Sequence, residues 1–416
     1  MTVPGSADWR NTEADRLIAF GRAAALPAGG FGWLDGHGQV DPGQPRPLYL
    51  SARMIHVFAL AGLAGDETAR PLAAAGLTDL ARRYADAEHG GWFASLDFAG
   101  QVTDTTKDNY AHAHALLAVS TAIAAGLPGA QDMFAATADV IGRRFWSGAE
   151  GCARESWDAG FTTSEPYRGA NSNMHSVEAY LAAADASGDR TWRDRALSIA
   201  TRLIDGHARA NAWRVPEHYD ENWQPLPEYN GDRRADQFRP YGTTPGHSFE
   251  WARLLLDLEA ALQAQPDAAQ AAPPAWLLEA ATALFDAAVT DAENGDGHPG
   301  LLYTVDSAHQ PVITSRLHWV ACEAVLAADA LHRRTGEPRF AAAATRWWSD
   351  IDRYFIDRES GGWHHELTPD MTPAAGTWSG KPDLYHAYQA LLFPSLPLTP
   401  TAAVSLSKAA PVQGRP

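Results

Sequence analysis

Two cysteines in 416 residues, Cys152 and Cys322, exclude a disulfide framework, and no CxxC or Cys/His spacing offers a structural zinc site. The opening MTVPGSADWRNTEADR has neither the basic n-region nor the apolar h-region of a secretory signal. Apolar runs are short, Ala-rich and broken by charge, so none reads as membrane-spanning. The cytoplasm is the expected compartment. Basic charge is scarce: 33 Lys and Arg against 50 Asp and Glu give a net −17, the wrong sign for nucleic acid or an anionic membrane. No GxGxxG follows a strand, and there is no Walker A and no GxSxG, so nucleotide cofactors and that serine-hydrolase elbow are not expected. With 45% hydrophobic and only 20% charged residues, the chain is ordered and has a sizeable core.

What the chain has in quantity is Ala, Leu and Arg at helical spacing. Clusters of Gly, Pro and Asp divide it into about twelve helical segments. They fall at 12–25, 49–64, 68–86, 107–125, 129–146, 171–187, 190–207, 245–263, 274–291, 315–335, 338–355 and 381–393. A weak repeat runs through them. Residues 59–84, 179–204 and 330–355 each read as a helix, a Gly-Asp/Glu turn and a second helix ending in aromatic or aliphatic residues. Residues 122–146 repeat the layout with a Leu-Pro-Gly turn. The longer connections HGGWFASLD (89–97), DGHPGLLYTVD (296–306) and SGGWHHELTPD (360–370) read as short strands or hairpins at the opposite end from the tight turns. Six such helical hairpins close into an all-α (α/α)6 barrel; an open solenoid is the alternative. One catalytic domain is expected over 1–396, followed by a Pro/Ala-rich tail at 397–416.

If alternate helices line the barrel, each inner one opens on a polar cluster. These are SARMIH (51–56), KDNYAHAH (107–114), NSNMHSVE (171–178), GHSFE (246–250), RLHWVACE (316–323) and KPDLYH (381–386). Six polar N-termini pointing into a core make sense only if one cavity mouth lies there. His175 and Glu178, His247 and Glu250, and Asp383 and His386 are i, i+3 pairs, each sharing a helix face. A carboxylate beside an imidazole fixes its tautomer and raises its basicity, which suits a proton shuttle near neutral pH. Arg53 is placed to orient hydroxyls or an oxyanion, and Trp319, Trp378 and Tyr110 to offer an apolar face to a ligand ring.

A lone histidine at a helix start is more often a capping or core residue, but three at equivalent positions favour a site. His112 and His114 are two apart, so at most one joins it. Trp92, Trp347, Trp348 and Trp363 are assigned to packing, and Asn171 would serve equally as a helix cap. His175, Glu178, His247 and Glu250 would make a metal set, yet no HExxH-like motif demands one; no metal is expected.

At these same residues the chain resembles the N-acylglucosamine 2-epimerase superfamily, in particular its mannose isomerase and sulfoquinovose isomerase branch. The resemblance spans 12–395 and rests on LSARMIHVFA, KDNYAHAHALLA, GANSNMHSVEAYLAA, TPGHSFEWARLLL, HWVACEA and GKPDLYHAYQALL. It implies an (α/α)6 barrel, His247 and His386 as an acid/base pair supported by Glu250, and Arg53, Tyr110, Asn171, His175 and Trp319 as sugar-binding residues. Glu178, Trp378, Lys381 and Asp383 complete the expected binding set. The implied reaction is interconversion of D-mannose and D-fructose through a cis-enediol, with no cofactor. A 2-epimerase acting on mannose, glucose or a disaccharide, or a sulfoquinovose isomerase, is the alternative outcome. Which imidazole is base and which is acid stays open. The expected partner is a monosaccharide, with no nucleic acid and no membrane, and the enzyme would be a monomer or homodimer. Two other classes compete: an (α/α)6 glycoside hydrolase, which would use two of Glu178, Glu250, Glu323 and Asp383, and a non-catalytic helical scaffold. The histidine-rich mouth argues against both.

Overall fold

In the computed structural model, which describes residues 2–265, 272–293 and 295–409, helices alternate along the chain between two concentric rings. They are α1 (Ala7–Gly21), α2 (Leu48–Leu63), α3 (Ala69–Asp79), α4 (Asn109–Ala124), α5 (Ala130–Val140), α6 (Ala170–Ser187), α7 (Thr191–Ala200), α8 (Pro245–Gln263), α9 (Trp276–Ala292), α10 (His318–Thr335), α11 (Pro338–Asp350), α12 (Tyr385–Leu392) and α13 (Ala402–Ala409).

The even-numbered helices form the inner ring because they are apolar on nearly every face. Every residue from Leu48 to Ala61 of α2 is buried, and so is every residue from Pro245 to Leu256 of α8. Outer helices carry one apolar stripe. In α11, Phe340, Ala343, Trp347 and Trp348 are buried at helical spacing, while Arg339 and Arg346 face water. Each fully buried Leu or Phe stabilises by about 1.5–3 kcal/mol. Each inner helix packs on the next, and α12 meets both α1 and α2, so the ring closes. The fold is the expected all-α (α/α)6 barrel rather than an open solenoid.

All twelve expected segments correspond to helices, with boundary shifts of physical origin. Lys107–Asp108 and Arg316–Leu317, read as helix starts, are short strands paired with Ser156–Trp157 and Glu366–Leu367. The Gly-Asp/Glu turns end α6 and α10 through Gly188 and Gly336, each at φ 74°, a left-handed conformation that glycine adopts without Cβ strain. The aromatic repeat endings have a structural counterpart. After α3, α5 and α11 the chain widens into a π turn that buries Tyr84, Phe145 and Phe355.

The stretch from 397 departs from its reading as a tail. Ala402–Ala409 form α13 against α2 and α4, with Ala403 buried and Leu406 packed on the core. Thr401 N donates to Asp185 at 2.7 Å. The i, i+3 spacing of Ala403 and Leu406 carries this helix, and the neighbouring Pro397 and Pro400 masked it in the sequence. Residues 410–416 lie outside the described residues. Short antiparallel sheets gather in the long loops. They include Arg46–Pro47 with Ser95–Leu96 and Val102–Asp104, and Arg316–Leu317 with Glu366–Leu367 and Pro373–Ala374. The three loops expected to hold strands each contain one, at Ser95–Leu96, Thr304–Val305 and Glu366–Leu367.

Candidate active site

The N-terminal ends of the inner helices border a chamber of about 570 Å³, counting the space open to solvent at its mouth. Ten residues singled out from sequence line it: Arg53, Tyr110, Asn171, His175, His247, Glu250, Trp319, Trp378, Asp383 and His386. They come from all six inner helices or the loop just before one, so closure of the ring is what assembles the site.

Two imidazoles are held alike. Thr244 precedes α8 and Pro245 opens it, fixing the first turn. Glu217 grips that turn: Oε1 accepts from Thr244 N at 3.1 Å, and Oε2 lies 3.0 Å from His247 Nδ1. Glu217 itself is anchored where its carbonyl accepts from Ala170 N at 2.9 Å, at the start of α6. On the other side, His386 Nδ1 lies 2.7 Å from Glu323 Oε1. In each pair the carboxylate accepts the Nδ1 proton, so Nε2 is the nitrogen left with a lone pair for chemistry. Burial, followed by the charge of Arg53, holds His386 well below the ordinary histidine value, hence neutral near pH 7. Trp319 flanks both rings, its centroid 5.2 Å from His247 and 5.7 Å from His386. Its indole reaches this place because residue 246 is glycine: a Cβ there would come within 2.6 Å of the ring.

Arg53 is fixed by Asp383, with Nη1 2.6 Å from Oδ2, and donates to Tyr110 Oη at 2.8 Å. Asp383 Oδ1 accepts from Tyr385 N at 2.9 Å, tying the pair to the start of α12. Burial alone would raise the Asp383 carboxyl, but Arg53, His386 and that N–H outweigh it and hold it low. Several polar atoms are buried with no hydrogen-bond partner among the described residues: Asn171 Oδ1, His318 Nε2, Trp378 Nε1 and both oxygens of Glu250. A wall of such atoms suits a ligand rich in hydroxyl groups.

The geometry corrects several expectations. The carboxylate on His247 is Glu217, thirty residues upstream, and not Glu250, its i+3 neighbour. Glu250 instead faces His175, 3.6 Å from Nδ1. Glu178 lies below the chamber, accepting from Tyr385 Oη and from Gln389 Nε2. Lys381 is turned away, donating to Asp357 and to Gly361 O. His112 and His114 make local backbone bonds at their Nδ1 atoms, and neither lines the chamber. Trp92, Trp347, Trp348 and Trp363 are core residues, as expected.

Sequence reasoning missed Gln237, Phe238, Tyr303, His318 and His365, which also line the chamber. All but His318 come from the long loops. His318 and His365 stack at 4.2 Å with an interplanar angle of 13°, and burial lowers both well away from a charged state.

His175, Glu178 and Glu250 lie close enough to hold a cation, as do Glu250, Glu323 and His386. The guanidinium of Arg253 sits among Glu178, Glu250 and Glu323.

The sequence profile of the N-acylglucosamine 2-epimerase (GlcNAc 2-epimerase) family matches residues 29–390. A D-mannose isomerase of Thermobifida fusca is 50% identical over 400 residues, covering 96% of each chain. Another, of Pseudomonas cannabina pv. alisalensis, is 47% identical and covers 98% of this chain and 97% of its own. Among solved structures, a crystal structure of D-mannose isomerase superposes with a TM-score of 0.86 at 28% identity, covering 95% of this chain and 99% of that one.

Proposed function

The chain belongs to the N-acylglucosamine 2-epimerase family, and from that premise we propose that it is an aldose–ketose isomerase interconverting D-mannose and D-fructose. The observation that carries the reading is the pair of carboxylate-backed imidazoles, His247 and His386, in one chamber beside Arg53. Ring opening exposes the C1 carbonyl. One imidazole removes the C2 proton, a cis-enediol forms, and the same proton returns to C1 on the same face. The second imidazole serves the proton transfer of ring opening. Each placed acid or base contributes on the order of 10²–10⁴ in rate. Arg53 stabilises negative charge developing on oxygen, and Tyr110, Asn171, His175, Trp319 and Trp378 hold the open chain in one conformation.

The same geometry weighs against the alternatives. A sulfonated sugar needs a cation to meet it. Lys381 is paired with Asp357, Arg316 with Asp296, and Arg53 with Asp383, so a neutral hexose fits better. A glycoside hydrolase needs two working carboxyl groups at the substrate. Asp383 is committed to Arg53 and Glu323 to His386, leaving Glu250 alone. We read the enzyme as a monomer or a homodimer. No described helix is long and apolar enough to cross a membrane. The proposed compartment is the cytoplasm, where the buried thiols of Cys152 and Cys322 stay reduced.

The test is proton NMR of EDTA-treated protein with D-mannose in D₂O. Fructose is the expected product, at an unchanged rate after chelation. Glucose without fructose would make the protein a 2-epimerase, and loss of turnover on chelation would restore a metal to the site.

A further inference from the structure

Four carboxylates, one of them Glu250 on the chamber wall, converge on one guanidinium. Arg253 Nε lies 3.2 Å from Glu323, Nη1 3.4 Å from Asp257, and Nη2 3.8 Å from Glu250 and 3.9 Å from Glu178. Carboxylate oxygens of Glu250 come within 4.8 Å of one on Glu178 and one on Glu323. Glu178, Glu250, Glu323 and Arg253 are all buried, so water does not screen them.

The carboxylates are not equally served. Glu178 accepts from Tyr385 Oη and Gln389 Nε2. Glu323 accepts from Arg253 Nε and is bonded to His386 Nδ1. Glu250 is fully buried and has no hydrogen-bond partner on either oxygen among the described residues, yet it lines the sugar chamber. An ionised carboxylate there would be both unsolvated and flanked by two others.

The charged and titratable groups facing it are Arg53 on α2, Tyr110 on α4, and His175 and Glu178 on α6. Arg253 lies on its own helix, Glu323 on α10, and Tyr385 and His386 on α12. Burial, then repulsion from Glu323 and Glu178, pushes the Glu250 carboxyl well above the usual range, and Arg253 and Arg53 do not offset this.

We propose that Glu250 enters the reaction as a neutral carboxylic acid and carries the proton between O1 and O2 of the sugar. This rests on the isomerase reading and replaces the role of a carboxylate supporting His247. The bookkeeping is closed. As an imidazole takes the C2 proton, the C1 carbonyl oxygen receives a proton from Glu250, giving the cis-enediol. As the imidazolium returns its proton to C1, the O2 hydroxyl gives its proton back to Glu250 and the C2 carbonyl forms. The cis geometry holds O1 and O2 on one side, within reach of a single carboxyl group. No oxidant, metal or outside acid is consumed.

Two measurements on the full-length protein decide the matter. In the infrared difference spectrum of wild type minus Glu250→Gln at neutral pH, a protonated-acid carbonyl band belonging to wild type is expected. Only carboxylate bands in that difference would overturn the proposal. In steady-state kinetics with mannose, E250Q should lower kcat by roughly 10²-fold with KM little changed. The amide N–H keeps the hydrogen bond but cannot exchange a proton. The alkaline limb of wild-type kcat, where Glu250 would ionise, should be missing in E250Q. Unchanged kcat with a raised KM, or loss of an acid limb instead, would overturn it. If wild type converts no mannose, the isomerase reading fails on its own, and the infrared band still reports whether Glu250 is neutral.

Discussion

His386 on α12 and Glu323 on α10 meet at 2.7 Å across 63 residues of chain, Nδ1 to Oε1. Glu217 and His247 make the same bond at 3.0 Å across 30 residues. The orientation of each imidazole is therefore a tertiary property, set only once the helical ring has closed.

Glu323→Gln keeps the shape and removes the charge behind His386. We expect kcat to fall by roughly 10²-fold, because an imidazolium formed at His386 would lose its counter-charge. KM for mannose should change little, since Glu323 does not line the chamber. A steady-state comparison with wild type reads both parameters.

His247→Asn and His386→Asn should each cost on the order of 10²–10⁴ in kcat. Circular dichroism and gel filtration of each variant should match wild type, as both side chains lie at the edge of the chamber. Near-normal turnover in either one would remove it from the proton-transfer pair.

Lys381→Met tests a residue that moved from the sugar to the scaffold. Its ammonium is buried against Asp357, and removing one member of a buried pair costs about 3–5 kcal/mol. Denaturant unfolding should show this loss, while KM for mannose in the folded variant stays near wild type. A raised KM with unchanged stability would return Lys381 to the substrate.

The pH dependence follows from buried neutral histidines. Burial lowers His56 and His318 to about 4 and His112 to about 3. In the unfolded chain these groups titrate near about 6.5. Their contribution to stability is fully present above that value and is lost as pH falls toward 4 and then 3. Urea midpoints should fall progressively as pH drops below about 6.5. The acid limb of kcat should also lie below the ordinary histidine value, because His386 is held neutral there.

Much of this was legible in the sequence, for a physical reason. Inner helices need apolar residues on every face, so polar residues at 53, 110, 171, 175, 247 and 386 stood out against that background. What could not be read was partnership. Helical spacing brought His175 to 3.8 Å from Glu178, but it suggested Glu250 for His247, whose carboxylate is Glu217 from a loop. Tyr303, Gln237 and Phe238 also sit in long connections, where no periodicity tells which side chain turns inward. His365 had a faint signal, because it lies in the Gly-aromatic-Asp loop at 360–370 already marked as unusual. Lys381 shows the opposite error: polarity next to a site was read as membership of it.

Because α12 returns to α1 and α2, no helix of the inner ring has an unpaired flank. An open stack of hairpins frays from its ends and melts by degrees. A circle has no ends from which to fray. Loosening any one hairpin strips two neighbours at once, so loss of structure should spread around the whole molecule as one cooperative event, and the site, drawn from every inner helix, should vanish with it.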